Sequence, residues 1–305
     1  MIILPSTVVA PGTPGVDTIL TSTNVLENDA TVWSAGTINL GQQRMYNHRL
    51  YQVIANPSTT DQPDVGAAKA VSPTWLDLGA VNRWKMFDAL IASQTTRSGN
   101  IAVTITPGAW ITGLALFGLE GTSLTITMTD PIEGVVYNRT VSLIDNSMVV
   151  DWWTYFTEPI VQLSTVVLLD LPAYMNAVLS ITVDAGAGTA KIGDLVIGSP
   201  RVIGEALFGT GIGIDSYSLK TRDDFGNLTI IPRAYSDRVD FDVIIPTPQV
   251  YRAKRLLTDL RDTPCVYIGD SNRLETIVYG FFKTFNIVLE DNGDSSCSIE
   301  VEGLT

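Results

Sequence analysis

Apolar and polar residues alternate along most of this chain with a period of two. Ile101 to Thr106 and Leu124 to Thr129 alternate as half-buried strands do, because successive strand side chains point to opposite faces. Trp110 to Leu116, Val135 to Leu143, Val166 to Leu171, Val178 to Val183 and Ala190 to Ile197 are also strand-like, and Gly, Pro, Asp and Asn separate most of them. Many short strands at regular spacing predict a β-sandwich over residues 81–200, with jelly-roll topology.

The pattern changes after residue 200. Ile212 to Lys220 and Leu228 to Ile231 flank Asp223-Asp224-Phe225-Gly226-Asn227, which reads as a hairpin with a Gly-containing loop. Tyr235 to Ile245 alternates again. From Gln249 to Arg261 the apolar positions Val250, Ala253, Leu256, Leu257 and Leu260 fall at helical spacing, which predicts one helix over about 248–261. Thr247 is placed to cap it, Pro248 suits its first turn, and Pro264 lies just past its end. Cys265 to Ile268, Thr276 to Leu289 and Cys297 to Val301 follow as strands. Residues 201–305 therefore form a β-rich α+β domain with one helix on its sheet.

Two shorter sections precede the sandwich. Residues 1–28 are rich in Pro, Gly, Thr and Ser, and Pro5, Pro11 and Pro14 forbid a regular helix. This segment is expected to be an extended arm. Residues 29–80 make a small β module with Trp33, the strand Arg49 to Ile54, a polar loop from Asn56 to Pro63, and Trp75 as its closing residue. A unit this small depends on its aromatics for burial. The stretch from Trp75 to Asp88 joins it to the sandwich, and Trp84 and Phe87 are expected in the first sandwich strand.

Composition narrows the function classes. The chain has 305 residues, 45% hydrophobic and 17% charged, enough to bury real cores. The formal charge of −13 and the lack of any basic run argue against a nucleic-acid partner. The apolar runs are too short for membrane insertion, and Met-Ile-Ile-Leu-Pro lacks the features of a signal peptide, so synthesis in the cytoplasm is expected. Cys265 and Cys297 are too few for a disulfide framework or a four-cysteine metal site and are expected to be buried and reduced.

No residue set stands out as catalytic, cofactor-binding or metal-binding. His48 is the single histidine, which excludes a histidine triad or multi-histidine metal site; it reads as a surface loop residue. The acidic pairs Asp223-Asp224, Asp291 with Asp294 and Glu300 with Glu302 read as turn or solvent-face residues. Asp151 beside Trp152 and Trp153, with Glu158 close behind, is the least implausible acid/base pair for a glycoside hydrolase. Gly209-Thr210-Gly211-Ile212-Gly213 lacks the Lys-Ser or Lys-Thr of a phosphate loop. Asn138-Arg139-Thr140 matches a glycosylation acceptor without a secretory context. The best binding candidates are Trp33, Tyr46, Tyr51 and Trp75, which could form a platform for stacking sugar rings or make up the small module's core.

With these residues in view, the chain resembles structural proteins of tailed bacteriophages. The phrases that carry the resemblance are Ile214-Asp215-Ser216-Tyr217-Ser218, Asp223-Asp224-Phe225-Gly226-Asn227, Arg233-Ala234-Tyr235, Ile299-Glu300-Val301-Glu302-Gly303-Leu304 and Trp75 to Asp88. The small module is similar to chitin-binding carbohydrate modules at Trp33, Gly41, Tyr51 and Trp75, apart from the polar insert Asn56 to Ser72. The sandwich is similar to galactose-binding-like jelly rolls. The resemblance implies a distal-tail-like component of a siphophage tail tip or baseplate. It would form a ring homo-oligomer, trimer or hexamer, closed by a belt-like C-terminal domain. Its implied neighbours are the tail tube protein and the tail-tip hub and fibre proteins, and a host surface glycan is the implied ligand of the outer part. A carbohydrate-binding receptor protein is the alternative, and a polysaccharide-degrading hydrolase the remote one.

Overall fold

The computed structural model describes residues 1–11, 19–145, 149–159, 161–222, 224–290 and 293–304. Pro14, Asp223 and Asp291 of the residues singled out above lie outside that set. The fold is mainly β, as the alternation predicts, and its sheets stack in three layers.

The first layer is a five-stranded antiparallel sheet in the order Gly134–Ser142, Ser123–Asp130, Val178–Ile192, Thr95–Ile105, Leu20–Thr23. Its inward positions, among them Ile101, Val103, Ile126 and Ile181, fill the largest core. The second layer has three strands, Val166–Leu168, Gly113–Phe117 and Asp194–Gly198. All residues of the last two are buried. Alternation sends Leu114, Leu116, Leu195 and Ile197 toward the five-stranded sheet and Ala115, Phe117 and Val196 the other way. A strand covered on both faces is continuously apolar, which is why Gly-Leu-Ala-Leu-Phe does not alternate in sequence.

The third layer is the C-terminal sheet. Its order is Arg201–Val202, Ile2–Pro5, Cys265–Ile268, Ile277–Val288, Asp294–Gly303, Tyr235–Pro246, Glu205–Ala206, with Gly211–Ser216 also paired to Tyr235–Pro246. One face carries Leu4, Val266, Ile268 and Tyr279 onto the middle layer, where Phe117 stacks on Tyr279 with ring centroids 5.5 Å apart. The other face carries Val239, Phe241, Tyr267 and Ile299 beneath the helix Val250–Asp259, whose Ala253 and Leu257 are buried.

The expected arm over 1–28 is corrected. Ile2–Pro5 is an inner strand, paired with Cys265–Ile268 on one side and Arg201–Val202 on the other, and Ile3 and Leu4 are fully buried. Leu20–Thr23 is an edge strand of the sandwich. Three successive apolar residues suit a strand covered on both faces, and Pro5 ends it where a missing N–H matters least. The chain therefore ties its first residues to its last third.

The seam also departs from expectation. Trp75 opens the strand Trp75–Ala80 and is buried in the small module. Trp84 and Phe87 pack against the sandwich core, but Trp84 precedes and Phe87 ends a 3-10 turn, Lys85–Phe87, and the strand begins only at Thr95. The C-terminal helix is preceded by a 3-10 turn at Thr247–Gln249, so Thr247 is not its cap; Gln249 holds that place without a side-chain cap bond. Two further helices, Pro63–Ala67 and Trp152–Thr157, have five and six residues, too short for helical periodicity to stand out in the sequence.

Candidate interaction surfaces

The small module gathers Trp33, Tyr46, Tyr51 and Trp75 in one cluster, with Ile38 and Val53. Tyr51 and Trp75 are 5% and 1% exposed, so neither offers a ring face to a sugar. The stacking platform is corrected to a core at those two positions. Trp33 and Tyr46 are half-buried and meet edge to face at 5.5 Å. The Gln62 amide donates to the Tyr46 hydroxyl, and Trp75 Nε1 donates to the Asp61 carbonyl at 3.1 Å. Gly66 permits this packing: a Cβ there would lie 2.5 Å from Trp75 Cδ1 and 2.4 Å from Thr74 Oγ1.

His48 is not an idle loop residue. Asn47 and His48 both have positive φ, as the two-residue turn joining Gln43–Tyr46 to Arg49–Val53 requires. That turn places His48 Nδ1 2.9 Å from Glu27 Oε1, and Trp84 Nε1 donates to the same oxygen at 2.7 Å. The His48 and Trp84 rings meet edge to face at 5.5 Å. One carboxylate thus holds the module's hairpin and the sandwich's aromatic turn together. Glu27 carried no periodic signal, because its partners lie 21 and 57 residues away.

The acidic candidates have structural partners. Asp151 caps the Trp152–Thr157 helix, accepting from the Thr154 amide at 2.7 Å, and Glu158 ends the same exposed helix. Glu302 accepts from Tyr217 and lies 3.1 Å from Lys283 Nζ, which also contacts Asp215 at 3.1 Å and Glu300 at 3.9 Å. The Tyr217 hydroxyl, followed by Lys283, holds the Glu302 carboxyl below the usual range. Asp224 sits at the exposed hairpin tip, and Asp294 is exposed. Cys265 and Cys297 are buried free thiols, as expected. Among the described residues no helix is long and apolar enough to cross a membrane.

Among the described residues, two surfaces group several exposed apolar side chains on one element. The first is a long hairpin. Gly211–Ser216 pairs with the first half of Tyr235–Pro246, and beyond it Leu219–Arg222 pairs with Leu228–Ile231. All eight residues of the outer pair are exposed, among them Leu219, Leu228, Ile230 and Ile231. Ile212, Ile214 and Tyr235 extend the exposed apolar set toward the root. A two-stranded ribbon is at best marginally stable in water, so an apolar ribbon projecting from a sheet calls for a partner.

The second surface is the Trp152–Thr157 helix. Trp152, Trp153, Tyr155 and Phe156 are each more than 60% exposed, and Trp152 lies against both Tyr155 and Phe156. The run of four aromatics in five residues was legible in sequence. Its exposure was not, because a core strand can read the same way.

No family model matches the chain, and no curated protein matches it. Among solved structures, chitosan-binding module 1 from a chitosanase/glucanase of Paenibacillus sp. IK-5 aligns at 9% identity, with a TM-score of 0.26, over 38% of this chain and 83% of that one. The tail of an empty GTA particle with C6 symmetry aligns at 14% identity, with a TM-score of 0.25, over 35% of this chain and 84% of the other.

Proposed function

We propose that this chain is a structural subunit of a phage tail tip, which joins copies of itself into a ring through the 211–240 hairpin. The exposed outer ribbon of that hairpin carries the reading. It presents Leu219, Leu228, Ile230 and Ile231 to solvent on two paired strands of which every residue is exposed. Its charge fits a self-partner. The stretch from Tyr217 to Tyr235 has three basic residues, Lys220, Arg222 and Arg233, against two acidic ones, whereas the chain as a whole carries −13. On the C-terminal sheet Asp242 is exposed beside the half-buried Asp240 and Glu300, which lie against Arg238 and Lys283 of the same chain; Asp242 is the carboxylate offered to a neighbouring copy. Closed symmetry would cover every arm and leave no apolar ribbon free. The sequence phrases that resemble tail proteins, several of them on this hairpin, favour the same reading. In the assembled virion, the C-terminal layer faces the tail tube and the hub, and the small module and sandwich face outward.

Sedimentation of the purified chain tests this directly. A trimeric or hexameric species is expected, reduced to monomer by the pair Leu228→Glu and Ile230→Glu with the melting temperature unchanged. A monomeric wild-type chain that is also absent from purified virions overturns the reading.

A second reading, recognition of a host surface glycan, is favoured by the exposed indoles of Trp152 and Trp153, since sugar rings stack on such faces. It moves the expected platform from the small module to the sandwich. Adsorption of the protein to host cells should fall with Trp152→Ala and Trp153→Ala, and unchanged adsorption removes it. Hydrolysis is not part of either reading; product release from host polysaccharide by the purified chain would reverse that.

A further inference from the structure

The outer ribbon of the arm has two unlike faces. Residues opposite each other on antiparallel strands share a face, as do residues two apart on one strand. Lys220 lies opposite Ile230 and Arg222 opposite Leu228, so two cations and two aliphatic side chains share one face. Leu219, Thr221, Thr229 and Ile231 take the other. All four residues of the cationic face are exposed.

The Trp152–Thr157 helix is its complement in charge and shape. It stands between the short paired strands Ile144–Asp145 and Val161–Gln162. From 144 to 162 the sequence has Asp145, Asp151 and Glu158 and no Lys or Arg. Trp152 stacks on Phe156 with ring centroids 6.4 Å apart, and Tyr155 meets Phe156 edge to face at 5.2 Å. An open groove of about 660 Å³ beside Trp152 and Tyr155 is walled by Val149, Val150 and Asp151. The reciprocal Asp151–Thr154 cap fixes this display before any partner arrives, which lowers the ordering cost of binding. The hydroxyls of Thr154 and Thr157 donate to carbonyls of their own segment, at 2.9 and 2.8 Å, so the helix offers a partner ring surface rather than these hydroxyls. Four aromatic side chains of roughly 150–250 Å² each, mostly exposed, present on the order of 600 Å², near the ~800 Å² per partner of a standard interface.

We propose that the arm face bearing Lys220, Arg222, Leu228 and Ile230 docks on the Trp152–Thr157 helix of a neighbouring copy. This contact rests on the ring reading and names where the arm lands. Asp242 answers a cation on the arm but covers none of its apolar side chains; the aromatic helix covers them. Leu228 and Ile230 bury against the rings and the groove. Lys220 and Arg222 lie over indole faces beside the carboxylates of Asp151 and Glu158, and a cation over Trp gains most once water is excluded. One contact thus covers two exposed apolar surfaces. It joins different surfaces on the two copies, and such a contact generates a ring when its rotation closes.

Disulfide trapping and sedimentation of the full chain test the contact. Ile230→Cys and Thr157→Cys place thiols on the two surfaces, while Cys265 and Cys297 stay buried. Co-expressed and oxidised, the two variants should cross-link the arm of one chain to the helix of another, and neither variant alone should cross-link to itself. Trp152→Ala with Trp153→Ala should raise the concentration needed for assembly about 30-fold or more, the scale of aromatic hot spots. The melting temperature of that pair should not change, because both side chains are exposed. A wild-type chain that stays monomeric removes the ring and this contact together. A wild-type ring that yields no arm-to-helix cross-link, or that assembles equally well without the two indoles, keeps the ring and overturns the contact. So does an Ile230→Cys variant that cross-links arm to arm. If loss of the indoles abolishes adsorption to host cells and leaves assembly intact, the helix serves a glycan and the contact is again overturned.

Discussion

The hydroxyl of Tyr217, at the root of the projecting hairpin, donates to the carboxylate of Glu302 on the last strand. Ser236 joins them, 2.9 Å from the Tyr217 hydroxyl and 3.4 Å from the carboxylate. The two residues are 85 positions apart, and their contact fixes the direction in which the arm leaves the sheet.

That contact makes the arm sensitive to acid. The Tyr217 hydrogen bond, then Lys283, holds the Glu302 carboxyl below the ordinary glutamate range. A group with a lowered folded-state pKa contributes fully above its unfolded value, and the contribution disappears as pH falls through the lowered value. Limited proteolysis within the arm should therefore accelerate on acidification below the ordinary carboxylate range. Glu302→Gln should be cleaved faster at neutral pH and lose most of this pH dependence, at a cost of about 1 kcal/mol for a partly solvated charged hydrogen bond. A variant with the wild-type pH profile refutes the pinning role.

The small module should loosen separately from the layers below it. Gly66→Ala forces a methyl against Trp75 and should cost about 1–3 kcal/mol within residues 29–80. Glu27→Ala removes the acceptor shared by His48 and Trp84 and should free the module without unfolding it. Hydrogen exchange resolved by segment is the measurement. Faster exchange confined to the module is expected for Gly66→Ala, and exchange that quickens equally in the C-terminal sheet contradicts the separation.

The lower layers should not separate. Phe117 stacks on Tyr279 inside a core shared by the sandwich and the C-terminal sheet. Phe117→Ala should cost about 3–5 kcal/mol. Chemical denaturation should show the sandwich and the C-terminal sheet losing structure in one transition. Two resolved transitions, only one of them shifted by the substitution, would count against a common core.

Both thiols should be inert in the folded chain. Burial pushes Cys265 up to about 12 and Cys297 up to about 11, so neither supplies thiolate at neutral pH. Alkylation counted by mass spectrometry should find no label on the native protein and two on the denatured one. A label on the native chain shows one of these strands opening.

Sequence by itself determined the elements whose information is local. Period-two alternation marked most strands, helical spacing marked Val250–Asp259, and the Asp223 to Asn227 turn marked the hairpin, because each depends on neighbours within a few residues. The aromatic character of the small module was equally plain. Tertiary structure alone decided what each element touches. The opening Ile-Ile-Leu fits an inner strand as well as an arm, and its place between Arg201–Val202 and Cys265–Ile268 depends on partners about 200 residues or more distant. Burial of Tyr51 and Trp75 and exposure of the Trp152 helix have the same cause. A side chain's environment is set by whichever surfaces the fold brings over it, and those surfaces come from chain segments that no local pattern encodes.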